Sequence, residues 1–411
     1  MKPLLFYLVM STLAAPVVAS VAAEHCAPGI YRNDGAAFMV VTRTDKGLAF
    51  TSSSGAGAGT AAVCGKDGVI VDGVRWPRVA TSDTDIRFDA GGVTLAGRLI
   101  EPPGAGKDTP LVVLAHGSEA SGWIGRARDP YQLVGRGVSV FVYDKRGTGG
   151  SGGDYTQNFP RLSSDLVAAS QQARRLAAGR HGRFGLIGLS QGGWIVQLAA
   201  RDAQAQFIGI GYGLAVDIAE QDAAQVALRL RERGYGEGVV AIARTLTDIT
   251  AKVVRSGRQE GLDELAAAQA RYGKAPWFAE VRGGYSGVLL NMPVDELRER
   301  GVPQFDKLDV DWSFDAMRTA ASVAVPQLWA FAEQDRQAPG AASIERLRQL
   351  RRQGRDIAIY RFPGLDHGMR HYNQAADGAR TYGATEPAFY DLMADWARGQ
   401  LAARYGAVAR D

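Results

Sequence analysis

From Asp85 onward the apolar residues fall in short unbroken runs rather than in alternation. These are Leu111–Ala115, Val138–Tyr143, Phe184–Gly188, Phe207–Gly211, Gln327–Ala332 and Ile357–Tyr360. A strand covered by helices on both faces has no side turned to water, so its apolar run is continuous. Helical patterns separate the runs, at Tyr131–Val134, Leu162–Ala178, Gly193–Arg201 and Ser343–Gln353, with a last one over Pro387–Tyr405. Ahead of them, Ile86–Phe88 and Thr94–Ile100 read as a hairpin pair about Gly91-Gly92. Alternating strands and helices predict an α/β fold with a doubly wound, mostly parallel sheet.

Two stretches depart from this rhythm. Residues 24–83 carry brief β-like runs, such as Phe38–Thr42, Leu48–Thr51 and Val69–Val71, divided by turns rich in Gly, Asp and Ser. They predict a small β-rich N-terminal domain. Residues 214–316 carry helical segments (Glu220–Glu232, Val239–Val254, Leu262–Tyr272) and no buried strand; with 13 basic and 17 acidic residues, this is a polar helical insertion and not more sheet. The α/β core is thereby divided into 84–213 and 317–411.

Composition adds a compartment and removes some partners. Residues 1–23 read as an export signal: Lys2 supplies the positive start, Leu4–Val9 opens the apolar stretch, and Val21-Ala22-Ala23 offers small residues for cleavage before Glu24. The competing reading is a retained anchor, since Pro3–Ala23 is just long enough to span a bilayer. Cys26 and Cys64 are the two cysteines; in an oxidising compartment an even count in one short region reads as a disulfide. Lys and Arg number 47 against 43 Asp and Glu, and no run of five like charges occurs. Nucleic acid is therefore not an expected partner, nor is stable membrane insertion once the signal is cleaved.

The strongest chemical signal is Gly188-Leu189-Ser190-Gln191-Gly192, placed between an apolar run and a helical pattern. With 51 glycines the five-residue motif alone is weak; the strand–turn–helix context makes it specific. A sharp turn there lifts the Ser190 hydroxyl out of the sheet, at a helix start that favours negative charge. A hydroxyl needs a base, and the chain offers five histidines: His25, His116, His181, His367 and His371. His367 lies just after the last apolar run, in Pro363-Gly364-Leu365-Asp366-His367-Gly368. Asp335, just after Gln327–Ala332, is the expected acid, with Glu333 as its competitor; Asp366 should project elsewhere. The expected oxyanion donors are the backbone N–H groups of Gln191 and of Ser118, the latter in His116-Gly117-Ser118 after Leu111–Ala115. His116 reads as a structural hydrogen-bonding residue, and Trp123 as lining the entrance or simply packing. The glycine-rich stretch Tyr143–Gly152 lacks the Gly-Lys-Ser/Thr ending of a phosphate cradle, so Asp144 and Arg146 are expected to fix the loop beside Ser190.

Taken together, His116-Gly117-Ser118, Asp144-Lys145-Arg146-Gly147, Gly188–Gly192, Asp335 and His367-Gly368 resemble the α/β-hydrolase superfamily. More narrowly, the chain is similar to exported bacterial serine esterases of the serine-aminopeptidase/monoacylglycerol-lipase-like branch. The resemblance spans roughly residues 85–405. It implies a catalytic triad of Ser190, Asp335 and His367, hydrolysis of a small-molecule carboxylic ester through an acyl-serine, and no cofactor or metal. It also implies a helical cap where residues 214–316 stand, and a periplasmic or secreted location. An aminopeptidase or amidase with the same triad is the nearest alternative; a non-catalytic binding protein on the same fold is a more distant one.

Overall fold

The computed structural model describes residues 26–54, 63–65 and 68–411. The expected export signal and His25 lie outside them.

Between Cys26 and Trp76 the described residues form two small antiparallel sheets. The first joins β1 (Gly29–Arg32), β2 (Phe38–Thr44) and β3 (Gly47–Ser52); the second joins β4 (Val63–Gly65), β5 (Gly68–Val71) and β6 (Val74–Trp76). Cys26 and Cys64 are bonded, with their Cα atoms 5.6 Å apart. In β2 the side chains alternate between two environments. Met39 and Val41 face a small cluster with Cys26, Val69 and Val71, whereas Phe38 and Val40 join the core beneath the large sheet. This explains why β2 opens with the unbroken apolar run Phe38–Val41: neither face of that part meets water, whereas Arg43 and Thr44 at its end are exposed. Phe38 presses so closely on Gly135 that a Cβ there would overlap its ring.

The large sheet has nine strands. In chain order they are β7 (Ser82–Asp89), β8 (Thr94–Glu101), β9 (Leu111–Ala115), β10 (Ser139–Tyr143), β11 (Phe184–Leu189), β12 (Ile208–Gly211), β13 (Gln327–Ala332), β14 (Ile357–Phe362) and, beyond an edge hairpin, β17 (Ala409–Arg410). Their spatial order is β17-β14-β13-β12-β11-β9-β10-β8-β7; the six from β14 to β10 run parallel and the rest antiparallel. Helices α2 (Phe159–Leu176), α3 (Gly192–Ala199) and α11 (Ala341–Arg352) cover one face. Helices α1 (Asp129–Val134) and α12 (Pro387–Arg398) cover the other. The fold is the expected doubly wound, mostly parallel one. Strand order reverses between β9 and β11, and a crevice opens at the carboxyl ends of strands at such a reversal.

The insertion is helical as expected. It contains α4 (Ile218–Glu232), α5 (Glu237–Arg255), α6 (Leu262–Tyr272), α7 (Ser286–Asn291), α8 (Val294–Arg300) and α9 (Pro303–Asp306), with α10 (Ala316–Ser322) leading back to β13. It has its own core, built on residues such as Leu230, Leu246, Leu265 and Leu297. Asp217 begins α4 with a reciprocal capping box to Glu220, which stops the chain from continuing as strand.

Two expectations need correction. The last helix ends at Arg398 and not near Tyr405, because Gly399 takes a left-handed conformation with φ 76° and closes it. A hairpin of β15 (Arg370–Gln374) and β16 (Arg380–Thr385) follows His367, where no strand is expected. Its strands read as polar because they are largely exposed, and Asp377-Gly378 between them was the available turn signal.

Candidate active site

Ser190 sits on the turn from β11 to α3 with φ 53°, a left-handed conformation that costs a non-glycine residue roughly 1–3 kcal/mol. Two hydrogen bonds hold it there: its N–H donates to Gly211 O (2.9 Å), and its carbonyl accepts from Gly193 N (2.8 Å). The motif's outer glycines have steric reasons. A Cβ on Gly188 would strike the carbonyl of Gly192, and one on Gly192 would strike the carbonyl of Ala115 on the neighbouring strand.

Three side chains from the ends of three strands meet at this turn. His367, on the loop after β14, places Nε2 3.1 Å from Ser190 Oγ. Its Nδ1 lies 2.8 Å from Asp335 Oδ2. Asp335 is 3% exposed, and its second oxygen accepts from the N–H groups of Gln337 (2.8 Å) and Ala338 (2.6 Å). Both carboxylate oxygens are thus engaged, which fixes the acceptor aimed at the imidazole. Glu333 turns away and pairs with Arg361 at 2.6 Å. The ring of Tyr212, another residue with positive φ (43°), stands edge-on to His367 at 5.0 Å between centroids.

Asp366 does project elsewhere, and what it meets is informative. It is buried, and its carboxylate accepts from the N–H groups of Arg336 (3.0 Å) and His367 (2.7 Å), from Arg380 (2.6 Å) and from the Tyr382 hydroxyl (2.8 Å). Burial pushes its pKa up, but these four donors together hold it below the usual value. Asp366 therefore ties the His367 loop to β16 and to the loop that carries Asp335. Apart from the adjacent His367, its partners lie 14 to 30 residues away, so no local pattern in the sequence marks this role.

The loop after β9 lies beside the serine turn because β9 and β11 are neighbours. Among the described residues, the backbone N–H groups of Ser118 and Gln191 have no internal acceptor, and both residues border the same cavity. His116 is buried, stacks on Trp123 at 4.6 Å and shares its Nδ1 with Glu119 at 3.0 Å. Burial lowers its pKa, which favours the neutral ring and suits a structural residue. Glu119 also accepts from Trp123 Nε1 at 2.5 Å. Burial would raise the Glu119 pKa, but the hydrogen bond from His116 and the charge of Lys145 hold it down at about 2. From beneath, the buried Lys145 Nζ donates to Gly117 O at 2.5 Å, and burial brings its pKa down to about 8.

Asp144 fixes the loop locally as expected, accepting from the N–H groups of Trp123 (2.6 Å), Ile124 (3.0 Å) and Gly150 (2.8 Å). Arg146 does not. It reaches Asp165 in α2 through two bonds of 2.7 and 2.6 Å, because that carboxylate is buried and needs a counterion. His181 bonds to the carbonyl of Gly182, and His371 pairs with Glu386 at 2.9 Å; neither reaches the site. No group of three metal-ligating side chains occurs among the described residues.

Two hollows flank Ser190. The first, of about 290 Å³, lies under the insertion and is walled by Phe159, Trp194, Ile218, Tyr285 and Trp312. The second, of about 720 Å³, lies on the other side; His367 and Trp123 border it, together with Thr42, Ala49 and Thr51 of the N-terminal hairpin.

The alpha/beta hydrolase family model matches residues 112–381, about two thirds of the chain. Solved structures of similar shape include an esterase from Pyrococcus furiosus, 14% identical, covering 70% of this chain and 83% of that one with a TM-score of 0.43. An acylaminoacyl peptidase from Pyrococcus horikoshii is 14% identical, covers 90% and 48%, and scores 0.45. Est1E from Butyrivibrio proteoclasticus, in a structure with ferulic acid bound, is 18% identical, covers 69% and 90%, and scores 0.41. These are likenesses of fold alone. No curated protein matches the chain.

Proposed function

The chain belongs to the alpha/beta hydrolase family, and on that premise we propose that it hydrolyses carboxylic esters through an acyl-serine intermediate. The observation that carries this reading is the relay from Ser190 Oγ through His367 to the buried carboxylate of Asp335, at 3.1 and 2.8 Å. His367 Nε2 takes the hydroxyl proton as Oγ attacks the ester carbonyl. Asp335 keeps Nδ1 protonated, so Nε2 is the free acceptor, and it stabilises the imidazolium that forms. The N–H groups of Gln191 and Ser118 receive the oxyanion. The alcohol then leaves with the proton from His367, and water repeats the attack on the acyl group.

The alternative of an aminopeptidase calls for an acid to anchor a free amine. Asp222 is the carboxylate on the first cavity's wall, but it is 1% exposed and its Oδ1 accepts from the N–H groups of Tyr285 (2.8 Å) and Ser286 (3.0 Å). Those bonds make Oδ1 an anchor of the α7 loop; the buried Oδ2 has no partner among the described residues, and burial raises the Asp222 pKa, which favours the neutral acid over the charged form that an amine anchor needs.

Export to the periplasm or medium is part of the same reading. The Cys26–Cys64 bond supports it, since such bonds persist in oxidising compartments. No described helix is long and apolar enough to cross a membrane.

Ser190→Ala should lower turnover of a p-nitrophenyl ester by roughly a millionfold while leaving the circular dichroism spectrum unchanged. Substantial turnover by the folded variant overturns the assignment. An aminoacyl anilide cleaved faster than the ester would move the protein to the peptidase class.

A further inference from the structure

The two hollows differ in a way that assigns them to different halves of a substrate. Ser190 and Ser118 border both, but His367 borders only the second. In ester cleavage the acyl carbon stays on Ser190 while the C–O bond breaks and its electron pair goes to the alcohol oxygen. That oxygen takes the proton which His367 Nε2 had removed from Ser190, so it must depart on the side of His367. The alcohol half therefore lies in the second cleft, and the acyl half in the cavity under the insertion.

Ion pairing around the second cleft is uneven. Its border carries Arg126, Arg128 and Arg370, with Glu119 and Asp129 as the carboxylates. Glu119 is held by His116 and Trp123, and Asp129 accepts from the Tyr390 hydroxyl at 2.7 Å. Arg126 pairs with Asp45 of the N-terminal hairpin. Arg128 and Arg370 have no carboxylate within ion-pair distance among the described residues. Arg128 donates to the hydroxyls of Thr385 and Tyr390. Arg370 makes one long bond to Gly383 O (3.4 Å) and lies over the Tyr382 ring at 4.7 Å. Burial and the neighbouring charge of Arg128 lower the Arg370 pKa against the opposing pull of Tyr382 and Asp366, whereas Tyr390 and Asp129 hold the Arg128 pKa up, so Arg370 is the cation less well compensated.

The geometry points to a subsite for an anionic group in the second cleft, with Arg128 and Arg370 receiving a carboxylate carried by the alcohol half of the ester. The N-terminal hairpin closes the far wall through Thr42, Ala49 and Thr51, so this segment would help to shape the leaving-group site. The inference rests on the ester reading for which half of the substrate is bound, and on the arginines alone for its charge.

Two readouts separate those dependencies. In the first, 3-acetoxybenzoate and the uncharged 3-acetoxybenzamide are compared by kcat/KM, each divided by its own hydroxide-catalysed rate. The charged ester should be favoured by about tenfold, the effect of one charge-assisted contact. The preference should shrink in high salt, and Arg370→Gln or Arg128→Gln should each cut it at least about threefold, with Arg370→Lys keeping part of it. In the second, calorimetry on the Ser190→Ala variant should give 3-hydroxybenzoate a dissociation constant about tenfold below that of 3-hydroxybenzamide. Anion binding without ester hydrolysis would support the subsite and overturn the ester reading. Hydrolysis with equal rates for the two esters would overturn the subsite, as would equal dissociation constants or a preference that survives both glutamine variants. If a glutamine variant fails to fold by circular dichroism, the wild-type ratios and Arg370→Lys decide.

Discussion

Single residues in the site act through the atoms they hold in place. Both oxygens of Asp335 are occupied, one by the imidazole and the other by two backbone N–H groups. Asp335→Asn keeps the shape but presents an NH₂ group that can reverse the bond and select the wrong tautomer. Its kcat should fall by about four orders of magnitude, measured on a p-nitrophenyl ester. A loss under tenfold would point to another acid, although Glu333 is already committed to Arg361. Asp366→Asn should act indirectly. It weakens the tie from the His367 loop to Arg380 and Tyr382, so kcat should drop tenfold or more with KM little changed, and the pH profile of kcat should shift as His367 loosens. Glu119 gives a pH test. Its pKa is about 2 in the fold against an ordinary 4.5, so between those values the unfolded chain binds more protons. The stability it contributes is thus complete above pH 4.5 and is lost as pH falls towards 2. The Tm gap between the wild type and Glu119→Gln should be widest above pH 4.5 and close near pH 2; a constant gap refutes the assignment.

At the scale of elements, legibility followed environment. Strands buried on both faces were readable as apolar runs, and β9, β13 and the start of β14 lie where those runs lie. The exposed hairpin β15–β16 was not, because its side chains answer to Asp366 and not to a core. The serine turn was legible for a steric reason, since glycines 188 and 192 stand where carbonyls approach too closely for any Cβ. Gly192→Ala should consequently disrupt the contact between β9 and the turn, and destabilise the protein by more than the ~1 kcal/mol typical of a substitution. Chemical denaturation would measure this; a neutral result would mean that the turn can move aside.

Over the whole molecule, the N-terminal segment is tied into the enzyme's body. Phe38 and Val40 enter the main core, Arg43 N–H donates to Gly125 O at 2.9 Å, and Arg32 reaches Gly135 O at 2.8 Å. The Cys26–Cys64 bond closes a loop across 38 positions, worth about 3–4 kcal/mol in the chain-entropy account. Reduction should lower the midpoint of unfolding accordingly and, because this segment also borders the second cleft, should raise KM for esters with bulky alcohol halves more than for small ones. Steady-state kinetics with and without reductant would show it; equal KM changes would separate the segment from the site. Sequence by itself determined the fold class, the serine turn and the candidate base and acid, because continuous apolar runs, turn sterics and position after a strand are local properties. Only the tertiary structure decided that Asp335 and not Glu333 faces His367, that Asp366 braces the loop, and that two arginines share a cleft with the histidine. Those relations join residues far apart in the chain, and they exist only once the order of strands brings their ends to one edge of the sheet.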